Sequence, residues 1–119
     1  MKQVHRQPLP AATFHILVAL ADQDRHGYAI LRDIRERTDG EFHIGPATLY
    51  TTIKRLLAAG LIKEIDPPGH GASDPRRRSY ALTAAGRDAA LAEAERLESL
   101  VRQARTRFAV ARRRTRSWA

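Results

Sequence analysis

The chain has no cysteine among its 119 residues, which excludes disulfide bonds, zinc–thiolate sites and thiol nucleophiles. It also lacks a long apolar run, because the longest stretch, residues 16–21, is far too short to span a bilayer. The first six residues lead into a proline-containing segment and not into an apolar core, so no secretory signal is predicted. The hydrophobic fraction of 43% still suffices for one folded domain. These features predict a small soluble protein of the cytoplasm.

Motifs of enzymes and metal sites are missing as well. The five histidines, at positions 5, 15, 26, 43 and 70, show no metal-ligand spacing. The sequence contains no nucleophile elbow, no glycine-rich phosphate loop and no telling pair of carboxylates. His15 lies in an apolar segment, where we expect a hydrogen-bonded core residue or a dimer contact. The sequence therefore predicts neither catalysis nor a cofactor.

Acidic residues are scarce where basic residues cluster. Lysine and arginine number 21 against 13 aspartate and glutamate, which gives a net charge of +8 and a pI near 11.0. Residues 101–119 hold seven arginines and no acid, and residues 76–78 are three consecutive arginines. Such clusters suit nucleic acid if folding brings them to one face, although excess charge for solubility explains them equally well at this point.

Hydrophobic periodicity divides the chain into four helices and two strands. Three helical segments are predicted from Pro10 to residues 22–24, from 26 to 38, and from 45 to 60. Alternation at 61–65 and 78–82 predicts two strands, and Thr83 can cap a long last helix that ends near Arg112. The predicted organisation is a flexible arm (1–9), a domain of three helices and two strands (10–83), a long helix (84–112) and a basic disordered tail (113–119).

The last helix carries an apolar heptad stripe and needs a partner. Its glutamates at 93, 95 and 98 are expected to face solvent beside this stripe. A helix this long exceeds what a small domain can cover, so we expect a second copy of the chain to pack on the stripe. The alternative is that the first helix of the same chain covers it. The predicted dimer contacts, including two residues of the first helix, are Phe14, Val18, Ala90, Ala94, Leu97, Val101, Ala104 and Phe108.

The order helix, helix, helix, strand, strand, long helix is that of a winged helix-turn-helix, a mainly α fold with a small two-stranded β-wing. In such folds the third helix enters the major groove of DNA. Successive residues of a helix are about 100° apart, which assigns each residue of this helix to a face. The face opposite the apolar side contains no acidic residue. An ordinary solvent-facing side of a helix remains the alternative interpretation. The predicted DNA contacts on and beside this face are Thr48, Tyr50, Thr51, Lys54 and Arg55, and Ala47 and Ala58 complete it.

The connection between the two strands forms the predicted wing. Arg76, Arg77 and Arg78 supply guanidinium groups for phosphates or for a narrow minor groove. Contacts of this kind position a protein on DNA, whereas contacts in the major groove specify the sequence. A solvated run of arginines is the alternative interpretation.

At this point the sequence resembles the PadR family of bacterial transcriptional regulators over residues 9–110, and in particular its smaller members with one C-terminal helix. The resemblance implies dimeric repressors of inverted-repeat promoters that are released by small molecules or stress signals. A small hydrophobic effector in the heptad stripe is one interpretation here, and close packing of the helices through its alanines is the alternative. It also implies a backbone-phosphate contact for Tyr28 at the start of the second helix. Ser79 stands where the family usually has a tyrosine. The motifs that carry the resemblance are residues 26–30, 48–50, 54–56, 60–62, 77–83 and Gly86.

The sequence thus predicts a DNA-binding transcriptional regulator that works as a homodimeric repressor. The alternative is a winged-helix adaptor that binds protein or RNA without operator specificity. The two differ in their binding to DNA, because only the regulator combines a steep salt dependence with a sequence preference.

Overall fold

A computed structural model describes residues 7–65 and 78–117, which form four helices and three strands. The wing arginines Arg76 and Arg77 lie outside the described residues. The elements, in chain order, are α1 (Ala11–Ala19), β1 (Arg25–His26), α2 (Gly27–Arg37), α3 (Pro46–Ala58), β2 (Ile62–Ile65), β3 (Ser79–Leu82) and α4 (Ala84–Ser117).

The first three helices enclose the core. Each contributes branched aliphatic side chains from one face, and the sheet adds Ile62 and Tyr80. Burial of such side chains is the main force that holds short helices together, since helices of this length are marginal on their own. The largest fully buried side chains are Ile16, Leu17, Ile30, Ile34, Leu49 and Ile62.

Helix α3 has the ends that its sequence predicts. Pro46 occupies its first turn, where a missing N–H costs nothing. After the helix, Gly60 adopts a φ of +73°, a left-handed conformation that favours glycine. The chain then turns directly into β2, so only three residues join α3 to this strand.

The sheet has three antiparallel strands in the order β1-β3-β2, one more than the sequence predicts. Arg25 pairs with Tyr80 and His26 with Ser79, so β1 covers the free edge of β3. A strand of two residues is too short to show a period of two, and it forms only because β3 lies beside it. The wing strands are therefore anchored to the start of α2.

Helix α4 begins at a side-chain cap. The backbone N–H of Gly86 donates to Oγ1 of Thr83 (3.0 Å), as predicted for a threonine in this place. The same hydroxyl donates to the carbonyl oxygen of Gly60 (2.7 Å), which ties the start of α4 to the end of α3. The helix then continues to Ser117, so the prediction of a disordered tail is wrong for residues 113–117. Arginine favours helices and suits their C-terminal end, so the basic segment extends α4.

Glu93 is buried, at 4% exposure, and the expectation that it faces solvent is wrong. Its two carboxylate oxygens accept hydrogen bonds from Nε and Nη2 of Arg96 at 2.7 and 2.6 Å. These bonds, chiefly, lower the pKa of Glu93, and a bond from the backbone N–H of Leu9 lowers it further. Leu9 also packs against the core, so the predicted flexible arm ends before this residue.

The chain itself covers the beginning of the heptad stripe. Ala89 and Ala90 pack against the core, and α1 contacts α4. For this part of the stripe the alternative interpretation is therefore correct, and the first helix of the same chain covers it. Ala90 accordingly makes its contacts within its own chain. From Leu97 onward the stripe is exposed. A small domain can bury only the first turns of a helix of 34 residues, which is about 50 Å long.

Candidate nucleic-acid interface

The outer face of α3 carries small, hydroxyl and basic side chains, and we name it the reading face. Its residues are exposed, while Leu49, Ile53 and Leu56 point into the core. Thr52 is buried, and its hydroxyl donates to the carbonyl oxygen of Thr48 (2.8 Å), so it takes no part in this face. The reading face comprises Ala47, Thr48, Thr51, Lys54, Arg55 and Ala58.

The chemistry of the reading face suits base edges and phosphates. Helix α3 contains no acidic residue, and Lys54 and Arg55 lie next to each other in its second half. Threonine hydroxyls donate and accept hydrogen bonds at close range, and lysine and arginine reach guanine acceptors in the major groove. An alanine at each end of the face allows the helix backbone to approach a groove.

Tyr50 lies at the border of the reading face and is half-buried. A Cβ built on Gly27 would lie 2.8 Å from Cε1 of its ring, so the ring packs directly against the glycine backbone. Gly27 begins α2, and the next residue, Tyr28, is 55% exposed. The predicted phosphate contact is thus accessible, and it sits where α2 meets α3.

Two polar contacts lie on either side of β3 at the base of the wing. Nε of Arg78 lies 3.3 Å from Oε1 of Glu64 on β2. On the other side of β3, Nδ1 of His26 lies 2.9 Å from Oγ of Ser79. Sequence reasoning did not find the second contact, because the pairing of β1 with β3 brings together residues that are 53 positions apart.

The exposed part of the heptad stripe runs along α4 beyond the domain. Val101 is 49% and Phe108 73% exposed, and Ala104 between them is exposed as well. Ala94 is half-buried where α4 leaves the domain, and Phe14 and Val18 on α1 are half-buried too. The predicted dimer contacts therefore fall into two groups, an exposed group from Leu97 onward and a partly covered group near α1.

His15 differs from the expectation of a hydrogen-bonded core residue. Its buried Nδ1 has no hydrogen-bond partner among the described residues, so that part of the expectation is wrong. The ring instead packs on Phe42, with 4.4 Å between ring centroids, and Arg37 donates to the backbone oxygen of His15 (3.0 Å) and not to its ring. Burial lowers the pKa of His15, and the charge of Arg37 lowers it further.

Metal-binding clusters and membrane-spanning helices are both absent from the described part of the chain. In residues 7–65 and 78–117 no three or more histidine or acidic side chains come together in a way that could hold a metal ion. None of the helices within these two ranges is long and apolar enough to cross a membrane.

Relatives of known sequence include regulators. The transcriptional regulator Rv3488 of Mycobacterium tuberculosis is 33% identical over 93 residues, which are 78% of this chain and 81% of that protein. A 37.1 kDa protein in transposon TN4556 of Streptomyces fradiae is 40% identical over 73 residues, or 61% of this chain. The chain spans 19% of the length of that transposon protein and 64% of a second relative, from Lysinibacillus sphaericus.

Solved structures share the fold. A transcriptional regulator from Clostridium thermocellum superimposes with a TM-score of 0.66 at 30% identity, over 82% of this chain and 88% of that one. Bacillus subtilis PadR, solved in complex with operator DNA, superimposes with a TM-score of 0.58 over 70% of this chain and 46% of that chain, and at 20% identity it shows the fold alone. The family described as Transcriptional regulator PadR-like matches residues 16–92, well over half of the sequence. With this match, the chain belongs to the PadR-like family, which is a family of transcriptional regulators and not of enzymes.

Proposed function

We propose that the chain is a homodimeric repressor that acts in the cytoplasm and binds an inverted-repeat operator. Each protomer would place α3 in one of two successive major grooves, and the wings would hold the flanking backbone. The observation that carries the proposal is the exposed, acid-free reading face of α3. The complex of Bacillus subtilis PadR with operator DNA supports it as a precedent on the same fold.

The predicted contacts have different tasks. Thr51 and Lys54, in the middle of the reading face, would contact base edges and supply sequence preference. Arg55 and Tyr28 would contact phosphates and supply affinity without preference. Thr48 and Tyr50 would flank the bases, and Tyr50 would also hold α3 against α2 through its packing on Gly27.

The decisive experiment begins with selection of bound sequences from random duplex DNA. The proposal expects a palindromic motif whose half-sites are about one helical turn apart. Replacing Thr51 and Lys54 by alanine is then expected to weaken binding to the selected duplex about tenfold or more, because each base contact contributes about 1–3 kcal/mol. Binding to random duplex changes much less. A matched control is Arg87→Ala, which removes a positive charge from an exposed position of α4.

The results separate the proposal from its alternative. Equal losses on selected and random duplexes would show that the reading face does not read bases. A selection that yields no motif, together with a steep salt dependence, would favour the adaptor that binds protein or RNA.

A second copy is the partner that best fits α4. Beyond the domain, α4 exposes the apolar side chains of the heptad stripe, among them Leu97, Val101 and Phe108, and remains helical to Ser117. The exposed acids of α4, Asp88, Glu95 and Glu98, all lie in its first half, and the only charged residues of its second half are arginines. Two copies in antiparallel orientation would set acids against arginines, whereas a parallel pair would bring fourteen arginines together, seven from each chain. The charge pattern supports an antiparallel pair.

Two separate variants, each with aspartate in place of a valine of α4, test the dimer. Val101 and Val110 have similar exposure, 49% and 46%, but nine residues of helix place them on opposite sides of α4. Val101→Asp would bury an unpaired charge in the interface and is expected to give monomers in sedimentation experiments. Val110→Asp is expected to remain dimeric. A Val101→Asp variant that stays dimeric would exclude the heptad stripe as the interface.

An effector would act at the same interface. A small hydrophobic molecule would bind among the exposed apolar side chains of the paired α4 helices and change the distance between the two reading faces. Its effect is measured as release of selected duplex DNA by apolar aromatic compounds. Loss of that release in Phe108→Ala, with DNA binding unchanged, would place the effector at the stripe.

A further inference from the structure

The part of the heptad stripe that a second copy can cover has two definite ends. Ala90 packs against the core of its own chain, and the next stripe residue, Ala94, is half-buried where α4 leaves the domain. At the other end Ala111 is exposed, and the stripe position after it, residue 115, is a threonine. The apolar stripe open to a partner therefore runs from residue 94 to residue 111, and its midpoint lies between residues 102 and 103.

Symmetry relates this midpoint to the way in which two copies pair. Two identical antiparallel helices are related by a two-fold axis, so every contact from one residue to another is repeated in the opposite direction. The pair covers most of the stripe when the axis passes through its midpoint. Leu97 of each copy then lies opposite Phe108 of the other, and the smaller Val101 and Ala104 meet near the axis.

The two neighbouring registers, one heptad away on either side, cover less of the stripe. With the axis at residue 99, Phe108 lies opposite Ala90, which the domain of the other copy already covers. With the axis at residue 106, Leu97 lies opposite residue 115, which is outside the apolar stripe. Apolar burial therefore favours the register with the axis between residues 102 and 103.

Two opposite charges flank the stripe on one side of α4. Glu98 directly follows the stripe residue Leu97, and Arg105 directly follows Ala104, so both side chains lie about 100° from the stripe in the same direction. Both are exposed, and within residues 7–65 and 78–117 neither of them makes a hydrogen bond or an ion pair. These charges are therefore available to a partner.

The register decides which charge Glu98 meets. In an antiparallel pair each flank of one helix lies beside the same flank of the other. With the axis between residues 102 and 103, Glu98 and Arg105 of the other copy differ by about 3 Å in height along the helices, at 1.5 Å per residue. With the axis at residue 99 the same position would be taken by Glu98 of the other copy, and with the axis at residue 106 by Arg112. Charge thus excludes one neighbouring register, and apolar burial disfavours both.

We propose that two copies pair through α4 in a single antiparallel register, with the two-fold axis between residues 102 and 103, and that Glu98 of each copy forms an ion pair with Arg105 of the other. The inference rests on the proposed function and specifies its dimer. Glu98 and Arg105 are specificity determinants of the interface, because they select one of several registers that the apolar stripe permits.

The register also sets the distance between the two reading faces. A shift of one heptad moves one α4 past the other by seven residues, or about 10 Å. Because successive nucleotides of a DNA strand are about 3.4 Å apart along the axis, such a shift changes the separation of the reading faces by up to about three base pairs. The ion pair therefore helps to define the spacing of the half-sites that one dimer can bind.

Exchange of the two charges tests the proposal. Glu98→Arg and Arg105→Glu, each alone, replace two symmetry-related ion pairs by like charges, and each is expected to raise the Kd of the dimer about tenfold at low salt. The double variant Glu98→Arg with Arg105→Glu restores both pairs and is expected to return the Kd to within about threefold of the wild type. Sedimentation equilibrium of the full chain measures each Kd, and the effects of the single changes shrink at high salt.

A second double variant is the matched control. Glu98→Arg with Arg112→Glu has the same net charge and changes the same flank of the helix, but it restores a pair only if the axis lies at residue 106. This variant is expected to dimerise as weakly as Glu98→Arg alone. Circular dichroism verifies the helix content of every variant. If a charge reversal does not fold, the cycle of Glu98→Gln, Arg105→Gln and their double variant measures the same coupling.

The results that overturn the inference differ from those that overturn the proposed dimer. Single variants that dimerise like the wild type, a failure of Arg105→Glu to rescue Glu98→Arg, or rescue by Arg112→Glu instead would each reject this register. In the glutamine cycle, effects of the two single changes that simply add would reject it as well. A wild-type chain that sediments as a monomer would reject the homodimer of the proposed function itself.

Discussion

Gly86→Ala is expected to destabilise the protein, although alanine is the better helix former. Gly86 lies in the first turn of α4 and has no unusual φ, so its backbone conformation does not require glycine. The reason is space. A Cβ at this position would overlap the carbonyl oxygen of Leu61 and lie 2.8 Å from Cδ1 of Leu82. The carbonyl oxygen cannot move freely, because it accepts a hydrogen bond from the backbone N–H of Thr83 (3.2 Å).

The magnitude follows from two opposing effects. Alanine in place of glycine within a helix stabilises by up to about 1 kcal/mol. Forcing an extra carbon into a packed site costs about 1–3 kcal/mol. The cost here lies at the upper end of this range, because the atom in the way belongs to the backbone. The net decrease in the free energy of unfolding is about 2 kcal/mol, the difference between these two effects. At about 4 °C per kcal/mol for a domain of this size, the melting temperature falls by about 8 °C.

Thermal unfolding followed by circular dichroism measures this decrease. A suitable control is Ala85→Gly at the neighbouring exposed position, which reports the helix propensity of the same turn without any clash. If close approach to Leu61 does not matter, Gly86→Ala will raise the melting temperature by about as much as Ala85→Gly lowers it. That result would refute the close packing of α4 on the loop after α3.

Two further predictions concern a buried carboxylate and the wing. The pKa of Glu93 lies below its usual 4.5, so the bonds of its carboxylate to Arg96 stabilise the folded state above that pH, and this stabilisation disappears as the pH falls through the lowered value. The melting temperature of the wild type is therefore expected to exceed that of Glu93→Gln at about pH 6 and to approach it as the pH falls below 4.5 and through the lowered pKa, and a constant difference would contradict the assignment. Replacing Arg77 and Arg78 by alanine is expected to reduce the slope of log Kd against log salt by up to about two, while Arg87→Ala leaves it unchanged. An unchanged slope in the wing variant would exclude the wing from phosphate binding.

Helix α3 shows how much local sequence can predict. Proline at its start and Gly60 after its end fix its limits, and the spacing of Leu49, Ile53 and Leu56 fixes which side is buried. Both signals act within a few residues, so they are independent of the rest of the chain. The same spacing predicts the reading face, because burial of the apolar side leaves the opposite side of the helix exposed.

Strand β1 shows where such reasoning ends. Arg25 and His26 carry no periodic pattern, and they form a strand only because β3 lies beside them. The hydrogen bond between His26 and Ser79 therefore joins residues that are 53 positions apart in the sequence. Long-range pairing of this kind is set by the packing of the whole domain, which no window of sequence contains.

The same distinction applies to α4. Its sequence alone determines a long helix with an apolar stripe, with all its acids in the first half and only arginines among the charged residues of the second half. Only the tertiary structure decides that Ala90 and Glu93 face the protein's own core while Val101 and Phe108 remain exposed. Periodicity assigns a residue to a side of a helix, but burial depends on whether another element extends far enough to cover that side, and this domain ends before the helix does.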